Sequence, residues 1–194
     1  MKIFNKKRLV IRLIFSVFII VLSTLNSHGQ DNNDRIQWSA TRKLTVDDFF
    51  IKTSNKATSS FAQFSIEYQI TGFDFLRKNF NKKVNNFMIP TASWIDTTKD
   101  VNQSLRYQQV LFDLSEVYAR KFRQALKENR SKISTNGTSI AKELNDKIMT
   151  EFAKRRLKYE KDIQSGNEIS EISDEWDINI QSELKELAEF AYEK

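Results

Sequence analysis

Apolar and polar residues alternate from Ala62 to Ile70, with Ala62, Phe64, Ile66, Tyr68 and Ile70 separated by Gln63, Ser65, Glu67 and Gln69. A period of two predicts a strand with one buried face, and Gly72 closes it. A weaker alternation through Phe80, Lys82, Val84, Asn86 and Met88 runs up to Pro90, the only proline, and Ser93-Trp94-Ile95 reads as a further short buried piece. Lys52 to Ser60 reads as a polar loop ahead of these strands.

After Asp96 the period changes. At 100° per residue, Tyr107, Leu111, Leu114, Tyr118, Phe122 and Ala125 fall within about 80° of one another, the buried stripe of a helix. That helix is predicted from Val101 to Asn129, with Glu116 and Arg120 as a solvated pair on its far side. Ser131 to Ser139, containing Asn136-Gly137, reads as a break. Ile140, Leu144, Ile148 and Phe152 then predict a second helix reaching Ile163, and Ser165-Gly166-Asn167 a polar loop. A third helix is predicted from Ser173, an N-cap followed by Asp174 and Glu175, carrying Trp176, Ile180, Leu184, Leu187 and Phe190. Strands first and helices after predict an α+β fold, a small antiparallel sheet from the N-terminal half packed with about three helices from the C-terminal half.

The start of the chain reads differently. Lys2, Lys6, Lys7, Arg8 and Arg12 precede an apolar run from Leu13 to Leu22, and Ser27-His28-Gly29 follows. A basic start, a short apolar segment and small residues at the −3 and −1 positions predict a signal peptide over residues 1–29, cut after Gly29. The alternative is an uncut membrane anchor, but a span needs about 20 apolar residues and Arg12 interrupts the run from Leu9 to Leu25. Without cysteine, the chain has no lipid-modified cysteine, disulfide or thiolate metal site. Residues 30–194 then form a single domain, behind the polar leader Asp31-Asn32-Asn33-Asp34.

Export also changes the charge. Removing five basic residues takes Lys and Arg from 31 to 26 against 25 acids, so the net charge falls from +6 to +1. No basic stripe with interleaved aromatics remains, and nucleic acid is set aside as a partner. His28, the only histidine, leaves with the signal.

The run from Tyr107 to Lys121 resembles the central helix of a family of predicted secreted bacterial zinc-dependent proteases, which reads approximately H-E-Q-x-H-F-D-I-x-E-x-Y-A-R-K. Three further blocks agree in order: Ile36-Gln37-Trp38 with Arg42-Lys43-Leu44-Thr45-Val46-Asp47-Asp48-Phe49; Ser93-Trp94-Ile95; and Tyr159-Glu160-Lys161-Asp162-Ile163-Gln164-Ser165-Gly166. The resemblance spans the mature chain, and its most specific part is the Phe-Asp…Glu-x-Tyr-Ala-Arg-Lys tail of the helix. It implies a zincin-like fold. In such an enzyme two histidines one turn apart hold zinc, and the glutamate between them polarises the metal-bound water.

Here the matching positions hold Tyr107, Gln108 and Leu111. The resemblance puts the third ligand at Ser165, with Asp162, matched to the family's distal glutamate, as a rival. The resemblance thus implies a degenerate member with no catalytic residue, metal or cofactor. Gln108 keeps the shape of glutamate without its basicity, and losing a general base typically costs about 100- to 10,000-fold. Tyr107 and Leu111 fall in the buried stripe, so the former metal pocket reads as filled core. Asp113 and Glu116 lie on the opposite side of the helix and read as solvated or structural carboxylates rather than a hard-cation site.

Without histidine or cysteine, Ser-His-Asp and Cys-His catalysis are excluded, and four glycines leave no phosphate-cradling loop. Glu160 and Asp162 are a weak carboxylate pair. The expectation is an exported, catalytically inactive zinc-protease-like protein that binds an unknown protein or envelope partner in the periplasm, outer envelope or beyond. The alternative is a residual hydrolase using a non-zinc site.

Overall fold

A computed structural model gives the architecture and describes residues 35–52, 58–69, 74–166 and 169–192, all within one compact unit, Asp34–Lys194. The signal segment with its cut after Gly29, the polar leader, Ile70, Gly72 and Asn167 lie outside the described residues.

The fold is α+β. Strand β4 (Val84–Ile95) is the spine of a four-stranded sheet. Strand β3 (Ser60–Tyr68) pairs with it antiparallel, as does the two-residue β1 (Ile36–Gln37). The equally short β2 (Ile51–Lys52) pairs in parallel through Ile51 and Trp94, so the sheet is mixed rather than wholly antiparallel, and Lys52 is strand rather than loop.

Pro90 does not end the strand. Between the pairs Phe61–Trp94 and Gln63–Ile89, one residue of β3 faces four of β4, Pro90 to Ser93. The proline sits in this bulge, where its missing N–H removes no ladder bond, and its carbonyl accepts from Phe50 N at 3.3 Å. Ser93 closes the irregularity, its Oγ donating to Ile89 O at 2.6 Å and accepting from Gln63 N at 3.0 Å. The two pieces on either side of Pro90 are thus one strand. Phe80–Lys83, read as its start, is a 3-10 turn.

Among the described residues four α-helices follow: α1 (Val101–Glu128), α2 (Arg130–Asn136), α3 (Ser139–Ser165) and α4 (Ile169–Glu186). Asp100 caps α1 by accepting from Gln103 N. The segment read as a break forms α2, and the chain turns only at Gly137, whose φ of 84° suits glycine. The last long helix begins at Ile169, four residues before Ser173. Ser173 is no cap: it is buried one turn inside α4 with its Oγ 3.3 Å from the Tyr159 hydroxyl.

Helix α1 is the middle layer. Phe112 stacks on Phe64 of the sheet with ring centroids 4.9 Å apart, and Phe122 meets Tyr68 edge-on. Leu111, Leu114 and Tyr118 share a cluster with Ile148 and Tyr159 of α3 and Ile180 and Leu184 of α4. Every residue from Leu111 to Arg120 is buried, since the helix is covered on both faces. Each large apolar side chain so enclosed contributes about 1.5 to 3 kcal/mol.

That double burial overturns the solvated reading of the polar face. Glu116 accepts from Arg120 Nε at 3.1 Å and from Arg123 Nη1 at 2.9 Å, and all three side chains are buried. Asp113 is buried as well. Its Oδ1 accepts from Trp38 Nε1 at 2.7 Å and Gln109 Nε2 at 2.8 Å, and its Oδ2 from Gln181 Nε2 at 3.2 Å and Lys43 Nζ at 3.3 Å. Both carboxylates are structural. No helix among the described residues is long and apolar enough to cross a membrane.

Candidate functional site

Helical spacing puts Tyr107, Gln108 and Leu111 within one turn of α1, but the fold gives each a different environment. Leu111 is fully enclosed in the core. Gln108, 2 % exposed, donates from Nε2 to Ser60 Oγ at 3.0 Å, and its Oε1 has no hydrogen-bond partner among the described residues. Tyr107 is half-buried and stacks on Tyr159 of α3, with centroids 5.2 Å apart and planes 18° from parallel. Tyr159 in turn packs on Trp176 of α4 at 5.1 Å.

Tyr107 also lines a pocket of about 290 Å³. Ser60 at the start of β3, Gln103 and Ser104 on α1, and Glu160 and Gln164 near the end of α3 share its wall. The position beside Leu111 is therefore not wholly filled core, because an opening persists on the Tyr107 side. Burial pushes the Tyr107 phenol well above its ordinary pKa, and the charge of Glu160 adds to this. The phenol stays protonated at neutral pH, and Glu160 is itself held by Arg156 Nε at 2.9 Å.

The two third-ligand positions are not at this pocket. Ser165 is exposed and donates to Lys161 O at 2.8 Å in its own helix. Asp162 turns toward α4, accepting from Lys158 Nζ at 2.6 Å and Trp176 Nε1 at 3.1 Å; Lys158 above all lowers its pKa. The α3 side chains that reach the pocket with Tyr107 are Glu160, Ile163 and Gln164. Glu160 and Asp162 consequently point into different surroundings and do not act as a carboxylate pair.

The donors present do not fit zinc. A protonated phenol, a carboxamide and a leucine stand where imidazole would be needed. Among the described residues, no three His, Cys, Asp or Glu side chains converge as a cation site requires. Both oxygens of Asp113 and Oε1 of Glu116 are engaged by the donors described above, and Glu116 Oε2 accepts from Asn86 Nδ2 at 3.3 Å. Burial pushes the Asp113 carboxyl up, against the pull of Trp38, Lys43 and Gln109.

The role of Glu160 was not apparent from spacing to Asp162. The signal that locates it is its position one residue after Tyr159, on the α3 face that meets Tyr107. Gly166, which follows Ser165, is explained by packing: a Cβ there would lie 1.9 Å from Ile172 Cδ1.

Several residues from separate stretches of the chain meet around α1. Trp38 bonds Asp113 and lies 5.2 Å from the Arg120 guanidinium, Leu44 N donates to Gln109 Oε1 at 2.8 Å, and Tyr159 stacks on Tyr107. Compared with protein-family models, curated proteins and solved structures, the chain matches none.

Proposed function

We propose that this chain is a catalytically silent relative of secreted zinc proteases, with a zincin-like core, exported to the bacterial envelope or beyond to bind a partner. The observation that carries the reading is the state of Gln108. A general base must be able to accept a proton, whereas this side chain is an amide, buried and tied to Ser60. The protonated Tyr107 and enclosed Leu111 on either side support the same conclusion. The contacts among Trp38, Asp113 and Arg120 support a scaffold retained without its metal chemistry.

The test is elemental analysis of the purified protein together with thermal melts. The expected result is no stoichiometric zinc and the same melting temperature with added zinc or with a strong chelator, since a metal stabilises only a fold that binds it. About one zinc per chain, or chelator-sensitive peptidase turnover, would overturn the reading.

A further inference from the structure

We propose that the pocket beside Tyr107 binds a neutral sugar ring. The assignment deepens the binding role proposed above and rests on it. Four elements converge on the pocket: the start of β3, the first turns of α1, the end of α3 and the start of α4. Its volume, about 290 Å³, is just below the range of about 300 to 1,000 Å³ usual for ligand pockets. That is room for one ring rather than for a chain.

The wall has the chemistry of a polyol partner. Ser60, Ser104 and Tyr107 supply hydroxyls, and Gln103 and Gln164 supply amides. Hydroxyls and carboxamides both donate and accept, as sugar hydroxyls do. Ile163 and Ile169 offer apolar surface for the C–H face of a ring. Among the described residues, Glu160 is the one charged side chain of the lining, an anion already held by Arg156. With Glu160 paired to Arg156 the wall is polar and close to charge-neutral, which suits an uncharged ligand better than a carboxylate or phosphate.

The wall is also braced before any ligand arrives. Tyr107 is fixed against Tyr159, whose hydroxyl lies 3.3 Å from Ser173 Oγ and whose ring packs on Trp176. Ser60 is held by Gln108 Nε2, and the partnerless Gln108 Oε1 leaves unmet acceptor demand one hydrogen bond behind the wall. A braced site loses less conformational freedom on binding. An extended peptide, by contrast, would call for a row of backbone partners along one strand edge, whereas this wall is assembled from residues of four separate elements.

The test is titration of the purified chain, followed by NMR or calorimetry, with glucose and N-acetylglucosamine as neutral probes, glucuronate as the anionic control and diglycine as the peptide control. Saturable binding of a neutral sugar is expected with Kd of about 10 mM or tighter, and glucuronate at least about 10-fold weaker than glucose. Gln103→Trp and Gln164→Trp, at exposed positions on the rim, should weaken sugar binding about 10-fold or more and leave the melting temperature unchanged. No saturable response to either neutral sugar, glucuronate binding equal to glucose, tighter binding of diglycine, or rim variants without effect would each overturn the proposal. Zinc content measured on the same sample separates the two readings. A zinc-bearing sample sinks the catalytically silent protein, whereas a zinc-free sample that ignores sugars sinks only the pocket assignment.

Discussion

Glu116 and Arg123 face each other two turns apart on one helix, Oε1 to Nη1 at 2.9 Å, with side chains 1 % and 0 % exposed. Arg123 also donates from Nε and Nη2 to Val84 O at 3.0 and 2.9 Å, and from Nη1 to Phe190 O at 3.0 Å. Glu116 Oε2 accepts from Asn86 Nδ2 at 3.3 Å, and Arg120 Nη1 donates to Leu184 O at 2.5 Å. One buried carboxylate thus fastens the central helix to β4, to α4 and to the C-terminal turn.

Glu116→Ala would leave two guanidinium groups buried without their anion. Removing one member of a buried ion group commonly costs about 3 to 5 kcal/mol, and urea denaturation should register a loss of that size. Glu116→Gln, which keeps the shape and one acceptor, should lose less. A loss below about 1 kcal/mol for the alanine variant would show that the group is not the clamp described here.

Gly166→Ala should destabilise through overpacking, since the new Cβ would meet Ile172 Cδ1 at 1.9 Å and Asp162 O at 3.1 Å. Ile172 Cδ1 is the free end of a half-buried side chain that can rotate away, whereas the Asp162 carbonyl is fixed, so the cost should fall at the low end of the about 1 to 3 kcal/mol typical of overpacking. Ile172→Val removes the Cδ1 atom, so the double variant should recover part of the loss. A double-mutant cycle with no coupling between the two positions would contradict the contact.

Glu183 predicts a pH dependence. Burial raises its pKa, but the hydrogen bonds and charges of Arg155 and Lys121 outweigh that, and the net shift is downward from 4.5. A carboxyl whose folded value is depressed adds stability above its unfolded value, and that stability is lost as pH falls through the folded value. The stability gap between the native protein and Glu183→Gln should therefore be full at neutral pH and shrink below about pH 4.5. Denaturation curves at a series of pH values measure it, and a gap that widens on acidification would reverse the sign of the argument.

Rebuilding a metal site tests the alignment of positions. Tyr107→His, Gln108→Glu and Leu111→His with Ser165→His should bind zinc no better than the same triple variant with Ser165 kept, because Ser165 is exposed and bonded to its own helix. In the triple variant Glu160, which shares the pocket with Tyr107, would have to leave Arg156 to serve as a third ligand. Leu111→His sacrifices a buried leucine, worth about 2 to 5 kcal/mol, so affinity no tighter than about 10⁻⁶ M is expected by calorimetry. A gain of about 100-fold from adding Ser165→His would restore that residue as the ligand position.

What could be read from the chain depended on how many faces each element buries. Helices α1 and α3 were legible because Tyr107 to Ala125 and Ile140 to Phe152 carry regular apolar spacing. The far side of α1 reads as solvated because a single stripe implies a single covered face, whereas Glu116 and Arg120 are enclosed by a second layer. Strand β4 was split at Pro90 because a bulge that tolerates proline has no local signature apart from its partner strand. The start of α4 was placed at Ser173 because a serine before two acids resembles a cap, while its tertiary partner Tyr159 lies 14 residues earlier. At the site, Tyr107 and Gln108 come from the resemblance of the central helix, and spacing adds only that Tyr107 shares the buried stripe; the turn of α3 that faces them depends on packing between helices. That is why Glu160 is at the pocket and Asp162 and Ser165 are not.

Because every residue from Leu111 to Arg120 is buried, with Phe112 under the sheet and Leu111, Leu114 and Tyr118 under the outer helices, neither layer can come away without uncovering part of this stretch. Partial openings that leave the rest intact would have nowhere to put that exposed helix. Amide protons along this stretch should exchange with deuterium only when the whole molecule opens, at a free energy equal to that of global unfolding, while the two-residue edge strands Ile36–Gln37 and Ile51–Lys52 exchange through local fraying.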